Sequence, residues 1–270
     1  MREPGLALTT GAACLPFREH LAAERGENTR ALSWAQVQDA FLQAMAQFDA
    51  QVVAGTATEG ERQNGKGDYF NDLLALVLEA SSGRTLSTRR RVPGLIFPKH
   101  NLDVTYPDEG VAEVLVEAKM LGTPKHPGSE RQQPAGRPAQ ADLLKRAKEL
   151  GFKAIDLKAG FGMEISHIGG SQAGPAGDLQ SWSHAARPKT FFLMAIRVIS
   201  EADLRACIET SSNIQKILDG VGLFAYTNDH LREAPRFYVE ANFRNARVPS
   251  AMQLGPVLYQ IATILKSLPD

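Results

Sequence analysis

The chain has 270 residues, with Lys plus Arg and Asp plus Glu at 30 each, so its formal net charge is zero. That length can bury a substantial core, and the charge balance excludes a globally basic nucleic-acid binder while leaving room for a local basic patch. The two cysteines, Cys14 and Cys207, build neither a disulfide framework nor a zinc site.

No apolar run reaches the roughly 18 residues of a membrane-spanning helix. The segment ending at Cys14 is similar to a lipoprotein cleavage site, but the apolar stretch before it is short and broken by Thr9 and Thr10. A cytoplasmic protein is therefore expected.

In chain order, Ser33 caps a predicted helix running to Val53. The segment from Gly60 to Gly67 fits G-x-x-x-x-G-K, yet Gly67 stands where Ser or Thr must meet magnesium, and no buried strand precedes it. No nucleotide cofactor is expected. The same glycines read as a flexible entry to a helix from Asp68 to Ser82, capped by Asp68 and ended by Gly83. Tyr69, Leu73, Leu76, Val77 and Ala80 supply its apolar stripe, its first N–H groups suit a DNA phosphate, and Asp68 and Asp72 read as a solvated face.

Leu102 to Tyr106 and Ala112 to Met120 read as the strands of a hairpin. In the second strand Glu117 and Lys119 share a face, opposite Val114, Val116 and Ala118. In the first, Leu102, Val104 and Tyr106 share one face and Asp103 takes the other. A three-residue loop ending at Gly110 in positive φ would pair Pro107 with Val111, set Asp103 opposite Leu115, and make it a diagonal neighbour of Glu117. A surface hairpin is the bland alternative. Against it, the second strand is nearly apolar on both sides, so charges at its end need compensation, for which a metal ion is suited.

Downstream, Gln140 to Gly151 reads as a helix stopped by Gly151, followed by strands at Phe152–Leu157 and Thr190–Ile199. A helix from Glu201 to Leu218, strands at Leu223–Thr227 and Arg236–Ala241, and an amphipathic helix from Gly255 to Leu268 complete the reading. The expected class is α/β, a central mixed β-sheet flanked by helices on both faces, with additional N- and C-terminal helices. Residues 1–64 read as a helical extension and 65–270 as the core, although no clean linker divides them and one compact domain is the alternative. The histidines show no HExxH spacing, and Ser166, His167 and Ser171 lack the partners of a catalytic triad.

Asp103 followed by Glu117-Ala118-Lys119 resembles the PD-(D/E)xK nuclease superfamily, most closely its type II restriction endonucleases, with Leu102 in place of the proline. The resemblance implies a helix before the hairpin, and a helix then a strand after it. It further implies a Mg²⁺-dependent endonuclease on double-stranded DNA, with Asp103, Glu117 and the Ala118 carbonyl holding the metal, Lys119 acting on the attacking water, Glu79 as accessory ligand, and a homodimer matched to a palindromic site. Gly122 to Ala139 is a long Gly/Pro/Arg/Gln loop, and Arg131, Gln132, Gln133 and Arg137, with Lys145 beyond it, are its candidates for DNA contact; Gln172, Ser183 and His184 are weaker ones. A repair or modification-dependent nuclease, and a DNA-binding protein that does not cut, remain the other readings.

Overall fold

Phe191, Leu193 and Ala195 bury their side chains on one side of a strand, and Phe192, Met194 and Ile196 bury theirs on the other. A strand apolar on both faces has to lie in the middle of a sheet covered by helices. In the computed structural model, which describes residues 33–53, 56–124, 136–167, 179–228 and 237–269, this strand is β4 (Lys189–Arg197). It follows α1 (Trp34–Val53), α2 (Glu59–Ser82), β1 (Ser87–Val92), β2 (His100–Tyr106), β3 (Val114–Leu121), α3 (Gln140–His167) and the short α4 (Leu179–Ala185). After it come α5 (Glu201–Ile214), β5 (Gly220–Thr227), the two-residue β6 (Val239–Glu240) and α6 (Leu254–Ser267).

The six strands lie in chain order. β1, β2 and β3 form an antiparallel meander, β3, β4 and β5 run parallel, and β6 closes one edge antiparallel. Parallel neighbours need long crossovers, which α3 and α5 provide. α1, α2 and α6 pack with Val104, Val116, Leu193 and Phe224 in one core, whereas α3 and α5 pack with Phe192, Met194 and Val221 in the other. The protein is thus α/β with a mixed sheet between helical layers, as expected.

Several boundaries differ from expectation. The helix expected from Asp68 begins three residues before Arg62, at Glu59, where Thr58 and Glu61 exchange the two hydrogen bonds of a capping box. Gly60, Gly65 and Gly67 are therefore helical, and the phosphate-binding use of this segment is corrected. Arg62 and Lys66 override the glycines' poor helix propensity, because both reach the buried Asp49 of α1, at 2.9 and 2.6 Å. Arg62 itself is 1% exposed. Burial is the larger influence on Asp49 and opposes its charge, yet the two cations hold its pKa below the usual range. Burial also brings Lys66 down to about 8 against Asp49's opposing pull. The division at residue 64 falls inside α2.

Gly151 does not stop α3. A Cβ there would lie 2.9 Å from Ile217 Cδ1 and 3.0 Å from Ile214 Cδ1, so the glycine lets α3 approach the α5 region, and Phe152–Leu157 is helical rather than a strand. β1 carries Arg89, Arg90 and Arg91 and gave no strand signal, since its partner β2 is what orders it. Of the strand expected at Arg236–Ala241, Arg236 lies outside the described residues and the remainder holds only β6.

Candidate active site

Both ladders that flank β2 are interrupted at one residue. Between β1 and β2 the register runs Thr88 with Val104, then Arg90 with Leu102, omitting Arg89 and Asp103. Between β2 and β3 it ends at Val104 with Val116. Arg89 has φ 58°, a left-handed conformation for a non-glycine residue, and its guanidinium reaches Asp68 at 2.9 Å and Asp72 at 3.6 Å on α2. The two acids expected on a solvated face are thus engaged with β1, and Asp72 is buried.

The interruption redirects the chain. Leu102 joins Leu115 and Leu157 in a small cluster on the α3 side, whereas Val104 belongs to the core on the other side. The expected alternation of Leu102, Val104 and Tyr106 on one face is therefore broken at Asp103. Its carboxylate replaces the missing ladder bond, Oδ2 accepting the Ala118 N–H at 2.8 Å. Oδ1 accepts from Asn71 Nδ2 of α2 at 3.2 Å.

The register is also two residues from the one expected. Tyr106 pairs with Val114 and Val104 with Val116, so the register extended one residue past the end of the ladder sets Asp103 opposite Glu117 rather than Leu115. Gly110 does take positive φ, 73°, but it sits inside a longer turn closed by the Glu113 N–H to the Tyr106 carbonyl at 2.7 Å. Arg90 braces that turn, donating to the carbonyls of Pro107 and Gly110. A shift of two keeps side-chain parity, so the three charges still converge.

Lys119 Nζ lies 3.0 Å from Asp103 Oδ2 and 2.8 Å from Glu117 Oε1, bridging the two carboxylates. Burial works against its charge, but Glu117 and Asp103 outweigh that and hold its pKa above the usual lysine value. Lys153 Nζ of α3 approaches the other Glu117 oxygen at 3.0 Å and donates to the Asn101 carbonyl at 3.1 Å. Reading Phe152–Leu157 as a strand concealed Lys153. Its position one helical turn before Leu157, which packs against β3 from α3, was the available signal. A cavity of about 290 Å³ opens here, lined by Asn101, Glu117, Lys119, Arg146, Lys153 and Phe192, among others.

Glu79 lies elsewhere. It accepts the Leu86 N–H at 2.8 Å, which fixes the entry to β1. It also follows Asn71, the α2 residue that touches Asp103, by roughly 12 Å of helix axis. The accessory-ligand expectation for Glu79 is thus corrected. Arg137 is exposed and paired with Asp142, and Lys145 is exposed and 3.8 Å from Glu149. Arg131, Gln132, Gln133 and Gln172 lie outside the described residues. Ser183 is buried and donates to the Ile217 carbonyl at 2.6 Å, an internal role that withdraws it from a DNA surface.

Two carboxylates on adjacent strands are hard oxygen donors of the kind that hold Mg²⁺ together with water and substrate phosphate, rather than an all-protein cage. Among the described residues no group of three or more acidic, His or Cys side chains gathers to bind a metal. The donor set fits Mg²⁺ in the two-carboxylate manner: Lys119 already occupies the position of a bridging cation. The Ala118 carbonyl points to the same side of β3 as its N–H, toward Asp103, by the geometry of a strand. No family model, curated protein or solved structure matches the chain.

Proposed function

We propose that the chain is a metal-dependent DNA endonuclease hydrolysing phosphodiester bonds. The observation that carries this reading is the bridging of Asp103 and Glu117 by Lys119, with Glu117 and Lys119 lining a cavity. The order α2, three antiparallel strands, α3 and the parallel β4 supports it further, because the resemblance of Asp103 and Glu117-Ala118-Lys119 to PD-(D/E)xK nucleases implies a helix before the hairpin and a helix then a strand after it.

Asp103 and Glu117 are the residues that would hold Mg²⁺, with the Ala118 carbonyl as a third oxygen. Bound there, the ion supplies a polarised phosphate oxygen and a water of lowered pKa. Lys119, kept protonated by its two carboxylate neighbours, offsets negative charge gathering on the phosphate and orients the water. Asn71 holds Asp103 in orientation, and Lys153 holds Glu117. The finer reading is a type II restriction enzyme, a homodimer on double-stranded DNA with Arg131, Gln132, Gln133, Arg137 and Lys145 as DNA contacts.

Unmethylated phage DNA incubated with Mg²⁺ is expected to give discrete fragments. Asp103→Asn, Glu117→Gln and Lys119→Ala are each expected to abolish cutting while the fold persists. Full activity in any of the three removes the proposal, and cutting confined to methylated or branched DNA replaces the restriction reading with a repair or modification-dependent one.

A further inference from the structure

The turn between β1 and β2 presents three consecutive large apolar side chains to water: Leu95 is 49% exposed, Ile96 65% and Phe97 49%. The backbone beneath them is tightly fastened. Asp156, buried on α3, accepts the Ile96 N–H at 2.7 Å and the Phe97 N–H at 3.2 Å, and it contacts His100 Nε2 at 2.6 Å. The Leu95 N–H donates to the Asp156 carbonyl at 3.1 Å and the Gly94 N–H to the Phe97 carbonyl at 2.8 Å. Burial opposes the Asp156 charge, but His100 and the two amides overcome it and keep the carboxyl below its usual range. Close approach demands glycine twice: a Cβ on Gly94 would lie 2.1 Å from Asp156 Oδ2, and one on Gly160 2.8 Å from Leu95 N.

A flexible turn could fold such side chains inward. This one is held so that they stay out, forgoing the stabilisation that covering each side chain would bring. Contiguous exposed apolar groups of this kind mark an interaction site.

The surroundings identify the partner's chemistry. Phe97 packs edge-on against Phe152, ring centroids 5.6 Å apart, and the next residue is Lys153 of the cavity. Lys153 also grips Asn101 on the strand leading from the turn to Asp103. Arg91 and Lys99 are exposed on the two arms of the turn, and no acidic residue stands between Gly83 and Leu102. An apolar tip with cationic flanks suits a partner that is polyanionic outside and apolar between its layers, as stacked bases are. We infer that Leu95, Ile96 and Phe97 form a wedge that enters between base pairs beside the phosphodiester held in the cavity, unstacking that step. The inference rests on the nuclease reading above.

The test uses the Glu117→Gln protein and a closed-circular plasmid that the unaltered protein cuts with Mg²⁺. Relaxing the plasmid with a topoisomerase while the protein is bound reports unwinding as a change in linking number. The Glu117→Gln protein is expected to lower the linking number in proportion to the amount bound. Ile96→Ser, at the most exposed position, reduces the effect, and Leu95→Ser, Ile96→Ser and Phe97→Ser together remove it, with filter-bound plasmid falling about tenfold. Binding without any linking-number change, or an equal change in the triple variant, overturns the wedge and leaves the nuclease reading standing. If the triple variant halves the sedimenting mass, the tip is a contact between copies of the chain and the wedge is overturned. A protein that cuts no plasmid overturns the nuclease reading, and the wedge falls with it.

Discussion

Lys153 Nζ lies 3.0 Å from Glu117 Oε2, although 36 residues separate the two in sequence. Together with Lys119, it gives the pair Asp103 and Glu117 two ammonium partners, so the site is charge-balanced before any ion enters. On the proposed metal-dependent reading, a divalent cation entering the site would compete with Lys153 for Glu117.

Lys153→Met is therefore expected to tighten Mn²⁺ binding about tenfold, as read by titration calorimetry. Removing one nearby positive charge in a partly exposed site supports a change of about 1.4 kcal/mol, well below the several kcal/mol of an unscreened pair. Cutting is expected to slow in the same variant, because Glu117 and Asn101 lose a shared anchor. Unchanged or weaker Mn²⁺ affinity would show that the ammonium does not compete for the carboxylate.

Asp49 is the carboxylate that Arg62 and Lys66 share, and Tyr238 donates its hydroxyl to it at 2.5 Å. Asp49→Asn leaves two cations buried without it and is expected to cost about 3–5 kcal/mol of stability in urea unfolding. Adding Lys66→Met is expected to restore part of that loss; a double variant no more stable than Asp49→Asn would contradict the charge origin of the effect.

Lys66 also sets a pH dependence. Its ammonium has a pKa of about 8 when folded, against 10.5 for an ordinary lysine. Between those values the unfolded chain binds the proton that the folded chain has released, so this group's contribution to stability increases as pH rises through that window. The slope is at most about 1.4 kcal/mol per pH unit. Comparing unfolding of the unaltered protein and Lys66→Met from pH 7.5 to 10 isolates it, and parallel curves would refute it.

Asp203, buried in α5, accepts the Ala139 and Ile199 N–H groups at 3.2 Å and the Gln140 N–H at 3.0 Å, tying the start of α3 to the end of β4. Asp203→Ala strands these donors and is expected to destabilise the protein by about 2–4 kcal/mol. A midpoint within error of the unaltered protein would mean that water replaces the carboxylate.

Gly122 ends β3 with φ 80°, and a Cβ there would fall 2.2 Å from the Arg197 carbonyl oxygen. Gly122→Ala is expected to cost about 3 kcal/mol, since strain at positive φ adds to the clash. A loss below about 0.5 kcal/mol would show that the backbone relaxes freely there.

The alternation of β3, the doubly apolar β4 and the amphipathic α6 were legible from sequence, because each reflects a short-range period that burial imposes on the residues themselves. The pairing of Glu117 with Lys119 on one face was legible for the same reason. Length and composition likewise restricted the chain to a globular class. Other features depended on partners far away in the chain. β1 exists because β2 pairs with it; α2 extends to Glu59 because Arg62 and Lys66 meet Asp49; α3 continues through Gly151, whose missing Cβ leaves room for Ile214 and Ile217 to pack against it. Local propensity argues against each of these, and tertiary burial outweighs it. The site divides in the same way. Its three charges came from a local pattern, whereas the break at Asp103, the support from Asn71 and the arrival of Lys153 required three elements to meet, since hydrogen bonds and ion pairs form wherever the folded chain brings donors and acceptors together.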